Sequence, residues 1–291
     1  MKRTHLIASL MLAFAGAAAQ AHAATLTTSA SRETAHGVAI NGVSMGLHID
    51  RLTMGFAERT GHDTLSPGNY RTSTRVTSTY QLPTLRRGSW ALASSIAASL
   101  QQISLPTQGG YAPGNTSTTY GRLGGSLAAS RALVSGQVVT LGVGIQPWAE
   151  RLPSGGGQLS APTDTSLALY TPIQGGGLTI EGVHSAGNVP GMRLSGESLA
   201  VRYQGHGGLE AGVSYTHGFA VGATEAQLAD VSFPSPDPRH PWTSYADGLA
   251  AYASLPVPVV HGLRADAGFV TNIPPGSSRV TTVKAGISYS F

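Results

Sequence analysis

No cysteine occurs anywhere in the 291 residues. Disulfides, thiolate zinc sites, iron–sulfur clusters and a cysteine nucleophile are excluded together. Charge is scarce as well. Asp, Glu, Lys and Arg make up 11% of the chain, less than half the roughly 25% of a soluble globular domain. Lysine is almost missing: beyond the first residues Lys284 is the only one, and the other basic side chains are Arg. No basic stripe or interleaved aromatic-and-basic motif supports nucleic-acid binding. Past residue 23 there is no run of 18 apolar residues, so only strands could carry this chain across a membrane.

What replaces the missing charge is small and polar. The hydrophobic fraction, 41%, is ordinary, but there are 38 Gly and 17 Pro among many Ser and Thr. That composition suits numerous short strands joined by turns. The N-terminus reads as a secretory signal peptide over residues 1–23. Lys2 and Arg3 form its positive start, Leu6 to Ala19 its apolar stretch, and Ala21-His22-Ala23 a small-residue cleavage site. Its removal leaves a nearly neutral chain.

From residue 49 onward the pattern is one of period two. Leu52, Met54 and Phe56 alternate with Arg51, Thr53 and Gly55; Tyr70, Val76 and Tyr80 oppose Arg71, Ser73 and Arg75. Trp90, Leu92, Ile96 and Leu100 come next, then Leu123 and Leu127 opposite Arg122, and Val139, Leu141, Val143 and Ile145. The second half continues with Leu167 and Leu169, Leu178 and Ile180 opposite Glu181, and Leu199, Val201 and Tyr203 opposite Arg202. Val213, Tyr215 and Phe219 then oppose Glu210, Tyr252 opposes Asp247, and Phe269 opposes Arg264 and Asp266. Val283 to Phe291 closes the series opposite Lys284. Such alternation puts one set of side chains on each face of a sheet.

Links alternate too. Short ones fall near 81–88, 132–136, 173–177, 204–208 and 255–261; longer, Gly/Pro-rich ones fall near 61–69, 104–116, 147–162, 221–241 and 273–279, with a brief one at 188–192. Transmembrane barrels alternate short periplasmic turns with longer outer loops. The fold class expected is therefore all-β: a transmembrane antiparallel β-barrel of about twelve strands over residues 49–291, both ends periplasmic. Tyr70 and Tyr80, and likewise Trp242 and Tyr252, are ten residues apart, a rise of about 25 Å in a tilted strand, which matches the height between two aromatic girdles. A soluble β-sandwich, the rival fold, would carry its charge outside and its aromatics within.

The ending Gly286-Ile287-Ser288-Tyr289-Ser290-Phe291 resembles the last strand of bacterial outer-membrane proteins, with Ile287, Tyr289 and Phe291 at every second position. That resemblance implies an outer-membrane location and recognition by the barrel-assembly machinery. With the short length and a dozen strands, the ending is also loosely similar to the MetA-pathway phenol-degradation family of transporter-type barrels. No internal motif separates that family from other small barrels.

The polar set carries most of the charge. Arg51, Arg59, Arg71, Arg75, Arg122, Arg202, Arg264 and Lys284 fall on it, against Glu181, Glu210, Asp247 and Asp266. A basic lumen attracts anions and repels cations; alternatively the arginines pair with the acids and staple a closed lumen. Residues 24–48, with Val38, Ile40, Val43, Met45 and Leu47, fit a lumen plug, a periplasmic arm or an early strand. The partners expected are outer-membrane lipid and a small-molecule solute, anionic or aromatic, that passes passively. No cofactor is implied.

Two patterns raise enzymatic alternatives. Gly42-Val43-Ser44-Met45-Gly46 matches G-x-S-x-G, but a nucleophile elbow needs a strand before it and a helix after it. His184-Ser185 is similar to the His and Ser of barrel-embedded lipid hydrolases, which there are separated by one residue. Adjacent residues in a regular strand face opposite ways, so the pair needs a bulge to meet. The other histidines show no metal-ligand spacing.

Overall fold

The computed structural model describes residues 24–35, 38–63, 70–105, 116–145, 148–151, 157–160, 163–189, 192–221, 247–273 and 280–290. They form one antiparallel sheet. Its elements are β1 (Ala24–Ala35), β2 (Val38–Ile49), β3 (Leu52–Asp63), β4 (Tyr70–Gln81), β5 (Leu85–Arg87), β6 (Trp90–Leu105), β7 (Thr116–Ala132), β8 (Val138–Ile145) and β9 (Trp148–Arg151). There follow β10 (Gly157–Ser160), β11 (Thr163–Ile173), β12 (Gly176–Val189), β13 (Met192–Gly205), β14 (Glu210–Val221), β15 (Asp247–Pro256), β16 (Leu263–Ile273) and β17 (Val280–Ser290).

β8 and β9 both pair with β7, while β11 pairs with β8 and β10 with β9. Each couple serves as one strand of the wall. β5 is a short flap on the lower end of β6, from Leu85↔Leu92 to Arg87↔Trp90. The wall then has fourteen strands in sequence order, and β17 pairs with β1 from Thr25↔Ser290 to Thr34↔Thr281. The ring is closed and has no free edge.

The structure thus bears out an all-β closed barrel, with one hairpin more than the alternation alone reveals. β1 and β2 pair along their whole length, from Ala24↔Ile49 to Ala35↔Val38. The described part of residues 24–48 lies in the wall. Physical reasons hide this hairpin in the sequence. β1 reads Ala-Thr-Leu-Thr-Thr-Ser-Ala-Ser-Arg-Glu-Thr-Ala, with almost no apolar residue on either face. In β2 the apolar parity slips: Val38 and Ile40 share strand parity with Gly42, Ser44 and Gly46, whereas Val43, Met45, Leu47 and Ile49 hold the other.

Turns at the end that holds both termini are short and built alike. Each contains one residue with positive φ: Gly88, Gly136, Gly175, Gly208, Gly262, and Asp50 where no Gly is available. Left-handed backbone is cheap for Gly and tolerated by Asp. Arg51, expected on the inner face, is the second residue of that Asp50 turn and is exposed, because it precedes β3, which begins at Leu52.

The faces are inverted relative to a soluble protein. Val43, Leu100, Leu123, Leu141, Leu167, Leu199, Val213, Leu249, Val283 and Ile287 are each at least 48% exposed. They all lie on the outside of the ring. Exposed apolar area on this scale does not persist in water, and a closed barrel satisfies every backbone group within hydrocarbon. Few apolar residues among those described are buried; Ala24 and Leu47 form a small cluster with Met45, Ile49 and Met54 packed on it, and Phe56, Val183, Ala200 and Ala250 lie apart from it. The stability of this wall lies in its ladder of strand pairs.

Candidate functional site: the barrel lumen

Fourteen strands about 4.8 Å apart and tilted about 40° close at a backbone radius of about 14 Å. Small side chains line much of that ring. Thr27, Ser29, Ser44, Gly46, Gly55, Ala57, Thr77, Ser95, Ala97, Ser126, Gly142 and Ser166 all border a cavity of about 820 Å³ inside it. Cross-strand hydroxyl pairs tie this surface together: Ser29 Oγ to Ser44 Oγ at 2.6 Å, Ser95 Oγ to Ser126 Oγ at 2.7 Å, and Ser130 Oγ to Thr140 Oγ1 at 2.9 Å. Each rung satisfies two polar groups without projecting bulk into the opening.

The ionised side chains gather mainly on the arc from β12 to β17. Arg202 on β13 donates to Glu181 on β12. Near the lower rim Arg264 on β16 reaches Glu210 on β14 at 3.3 Å and donates through Nε to Ser254 Oγ at 3.0 Å. Asp266 and Lys284, on β16 and β17, border the cavity, as does Arg75 on β4. Asp164 on β11 also borders it and is hydrogen-bonded to Ser185. The alternation had suggested neither Asp164 nor Tyr252 for this wall. Carrying the period two residues back from Ser166 would have found Asp164.

The expected residues therefore separate into groups. Arg75, Arg202, Arg264, Lys284, Glu181, Glu210 and Asp266 are together on the inner wall. Arg51 is in a turn. Arg59, Arg71 and Arg122 occupy wall positions, in register with Gly42, Gly61 and Ser99 respectively, and their side chains lie outside the described residues. Asp247 is corrected outright. It shares parity with exposed Leu249 and Leu255 and pairs with His217 on the outside of the barrel. The same parity turns Tyr252 inward, where its ring lies over Gly212, so it is no girdle partner for Trp242, which is outside the described residues. Among the described side chains the inner wall has Arg75, Arg202, Arg264 and Lys284 against Asp164, Glu181, Glu210 and Asp266.

At the closing strand Ile287 pairs with Thr28 and Ala265, and Tyr289 with Leu26 and Leu263; Phe291 lies outside the described residues. The enzymatic patterns resolve geometrically. His184 is on the exposed outer face, while Ser185 is 3% exposed and faces inward toward Asp164, so imidazole and hydroxyl are on opposite sides of one strand. Ser44 sits in mid-strand on a serine rung, not on a strand-to-helix turn.

No family model matches the chain, and no curated protein matches it. Solved structures share its general form. The Pseudomonas putida toluene transporter TodX aligns over 92% of this chain and 88% of its own, at 9% identity and a TM-score of 0.45. The CymD monoaromatic hydrocarbon channel aligns over 96% and 91%, at 12% identity and 0.44. CdiB from Acinetobacter baumannii aligns over 91% of this chain at 10% identity and 0.47, and this chain spans 60% of its length.

Proposed function

We propose that the chain is an outer-membrane channel for the passive passage of small solutes. One observation carries the reading: the closed ring of fourteen strands encloses a cavity of about 820 Å³ lined by Ser, Thr, Gly and Ala, with the described part of residues 24–48 in the wall instead of in the lumen. Eight-stranded barrels fill their interior with side chains and those of 16–18 strands hold an aqueous channel. Fourteen strands with small inward residues fall toward the open end of that range.

The charge balance of the described side chains supports a solute class. Four bases and four acids on the described inner wall, in part directly paired, give a passing ion little net attraction of either sign. Small uncharged solutes, aromatic ones included, fit this lumen better than the anions that a basic lumen would select. Planar-bilayer recording tests both halves. Single-channel steps with a reversal potential near zero in a tenfold salt gradient are expected. A refolded barrel that gives no steps refutes the channel, and strong selectivity for either ion refutes the balanced lumen.

A further inference from the structure

The outer face carries a polar row that lumen function does not use. His184 on β12, Glu197 on β13 and His217 on β14 stand abreast in the strand register. Asp247 on β15 continues the row beside His217. All four share parity with exposed apolar residues: Ile180, Leu199, Val213 and Leu249. His184 Nδ1 lies 3.6 Å from Glu197 Oε1, and His217 Nδ1 lies 2.7 Å from Asp247 Oδ1, which also accepts the Gly218 N–H. Below the row Gly182 has no side chain to fill the wall. A dent of about 400 Å³ opens there, with Leu141 and Leu167 on its apolar side and Thr165, His184 and Glu197 on its polar side.

The row lies above mid-height in its strands: His184 is eight residues from Gly176 and five from Val189, the ends of β12. Six residues separate Leu178 from His184 and Tyr203 from Glu197, about 15 Å along the barrel axis at 3.3 Å per residue and a 40° tilt. On β6 the exposed apolar residues run on from Trp90 to Leu100, ten residues or about 25 Å. Ionised side chains facing lipid are costly at mid-membrane and nearly neutral at the interface, so the headgroup layer must come down to this row. The row's chemistry is that of acceptors. Two carboxylates stand in it: Asp247 within hydrogen-bond distance of His217 Nδ1, and Glu197 3.6 Å from His184 Nδ1.

We propose that the row and the dent below it seat a glycerophospholipid with a primary ammonium headgroup. One acyl chain lies on Leu141, Leu167 and the bare Gly182 backbone, and the ammonium donates to the Glu197 and Asp247 carboxylates. This rests on the membrane-spanning reading above, and two measurements separate the two. First, native mass spectrometry of the full barrel compares phosphatidylethanolamine with phosphatidylcholine of identical chains, since the quaternary headgroup cannot donate. At least threefold preferential retention of phosphatidylethanolamine is expected, lost in the double variant Glu197→Gln, Asp247→Asn. Equal retention of both lipids, preference surviving the double variant, or preference for lipid A alone overturns the site.

The second measurement keeps the native row. The chain has no cysteine, so a nitroxide on Thr165→Cys or Ile96→Cys is the sole label. Thr165 lies six residues above Thr171, and Ile96 six above Trp90, both outward positions near the lower ends of their strands. Collision with a water-soluble nickel chelate is expected to dominate at 165, and collision with oxygen at 96. Oxygen dominance at both sites overturns the lipid seat alone. Nickel dominance at 96 overturns the membrane-spanning reading on which it rests.

Discussion

Replacing Glu181 by Gln is expected to turn a nearly unselective lumen into an anion-preferring one. The substitution keeps the shape of the side chain and its capacity to accept a hydrogen bond from Arg202, and removes one of the four described inner-wall acids. With the backbone at about 14 Å from the axis, an extended Arg side chain places its charge about 7 Å from a passing ion. One excess unit charge at that distance in a water-like dielectric is worth about 0.6 kcal/mol, and screening at 0.1 M salt halves it. The sign is opposite for K⁺ and Cl⁻, so the two differ by about 0.6 kcal/mol, roughly threefold in permeability. In a tenfold KCl gradient this moves the reversal potential by about 20 mV toward the chloride value, out of the roughly 59 mV of perfect selectivity. Arg202→Gln is expected to move it about as far the other way. The assay is the bilayer reversal potential of each variant against the parent. If both variants reverse within a few millivolts of the parent, the Arg202–Glu181 pair does not face the conducting path and the balanced-lumen argument is wrong.

Three further outcomes follow from the wall itself. Leu123→Arg, on the lipid side, is expected to cost about 2–4 kcal/mol if it lies near the membrane midplane and to reduce folding into vesicles. Ser126→Arg, which faces the cavity, should fold normally and lower the conductance; urea titrations and single-channel currents check the pair. A Cβ on Gly212 would stand 2.5 Å from Tyr252 Cε1. Gly212→Ala should therefore cost about 1–3 kcal/mol by pushing the ring aside, and Tyr252→Ala in the same chain should restore most of that loss in a denaturant titration. Ala30 pairs with Ala285 on one side and Val43 on the other, so Ala30→Pro removes a ladder bond at the closure. It should lower stability by about 2 kcal/mol or more and weaken the heat-dependent gel shift of the folded barrel. A neutral result would mean that residues 24–35 are not part of the wall.

Much of the barrel was legible because lipid and lumen impose opposite demands on alternate residues. Where both demands are strong the pattern is plain: Val139, Leu141, Val143 and Ile145 all face outward, and Arg202 and Glu181 face inward, as alternation required. β1 escaped because its outward positions, Leu26, Thr28, Ala30 and Arg32, form too poor an apolar set to register as a strand. Its place is set by partners remote in sequence: β17 lies more than 240 residues away along the chain, and only closure of the ring calls for it. Asp247 was misplaced for a related reason.

Parity along a strand is known only relative to an anchor, and β15 offered a misleading one. Tyr252, taken as an outward girdle residue, fixed Asp247 as inward. Leu249 and Leu255 were equally good anchors of the opposite parity. The register with β14 decides between them: Thr216↔Gly248 and Glu210↔Ser254 place Gly248, Tyr252 and Ser254 with the inward residues of that strand. In a barrel an inward aromatic is tolerated wherever a neighbouring strand supplies a glycine beneath it, as Gly212 does for Tyr252 and Gly177 for Tyr170. An aromatic in an alternating strand therefore marks the lipid face only when no neighbouring strand offers a glycine beneath its ring. That single condition reverses both the girdle assignment of Tyr252 and the lumen assignment of Asp247.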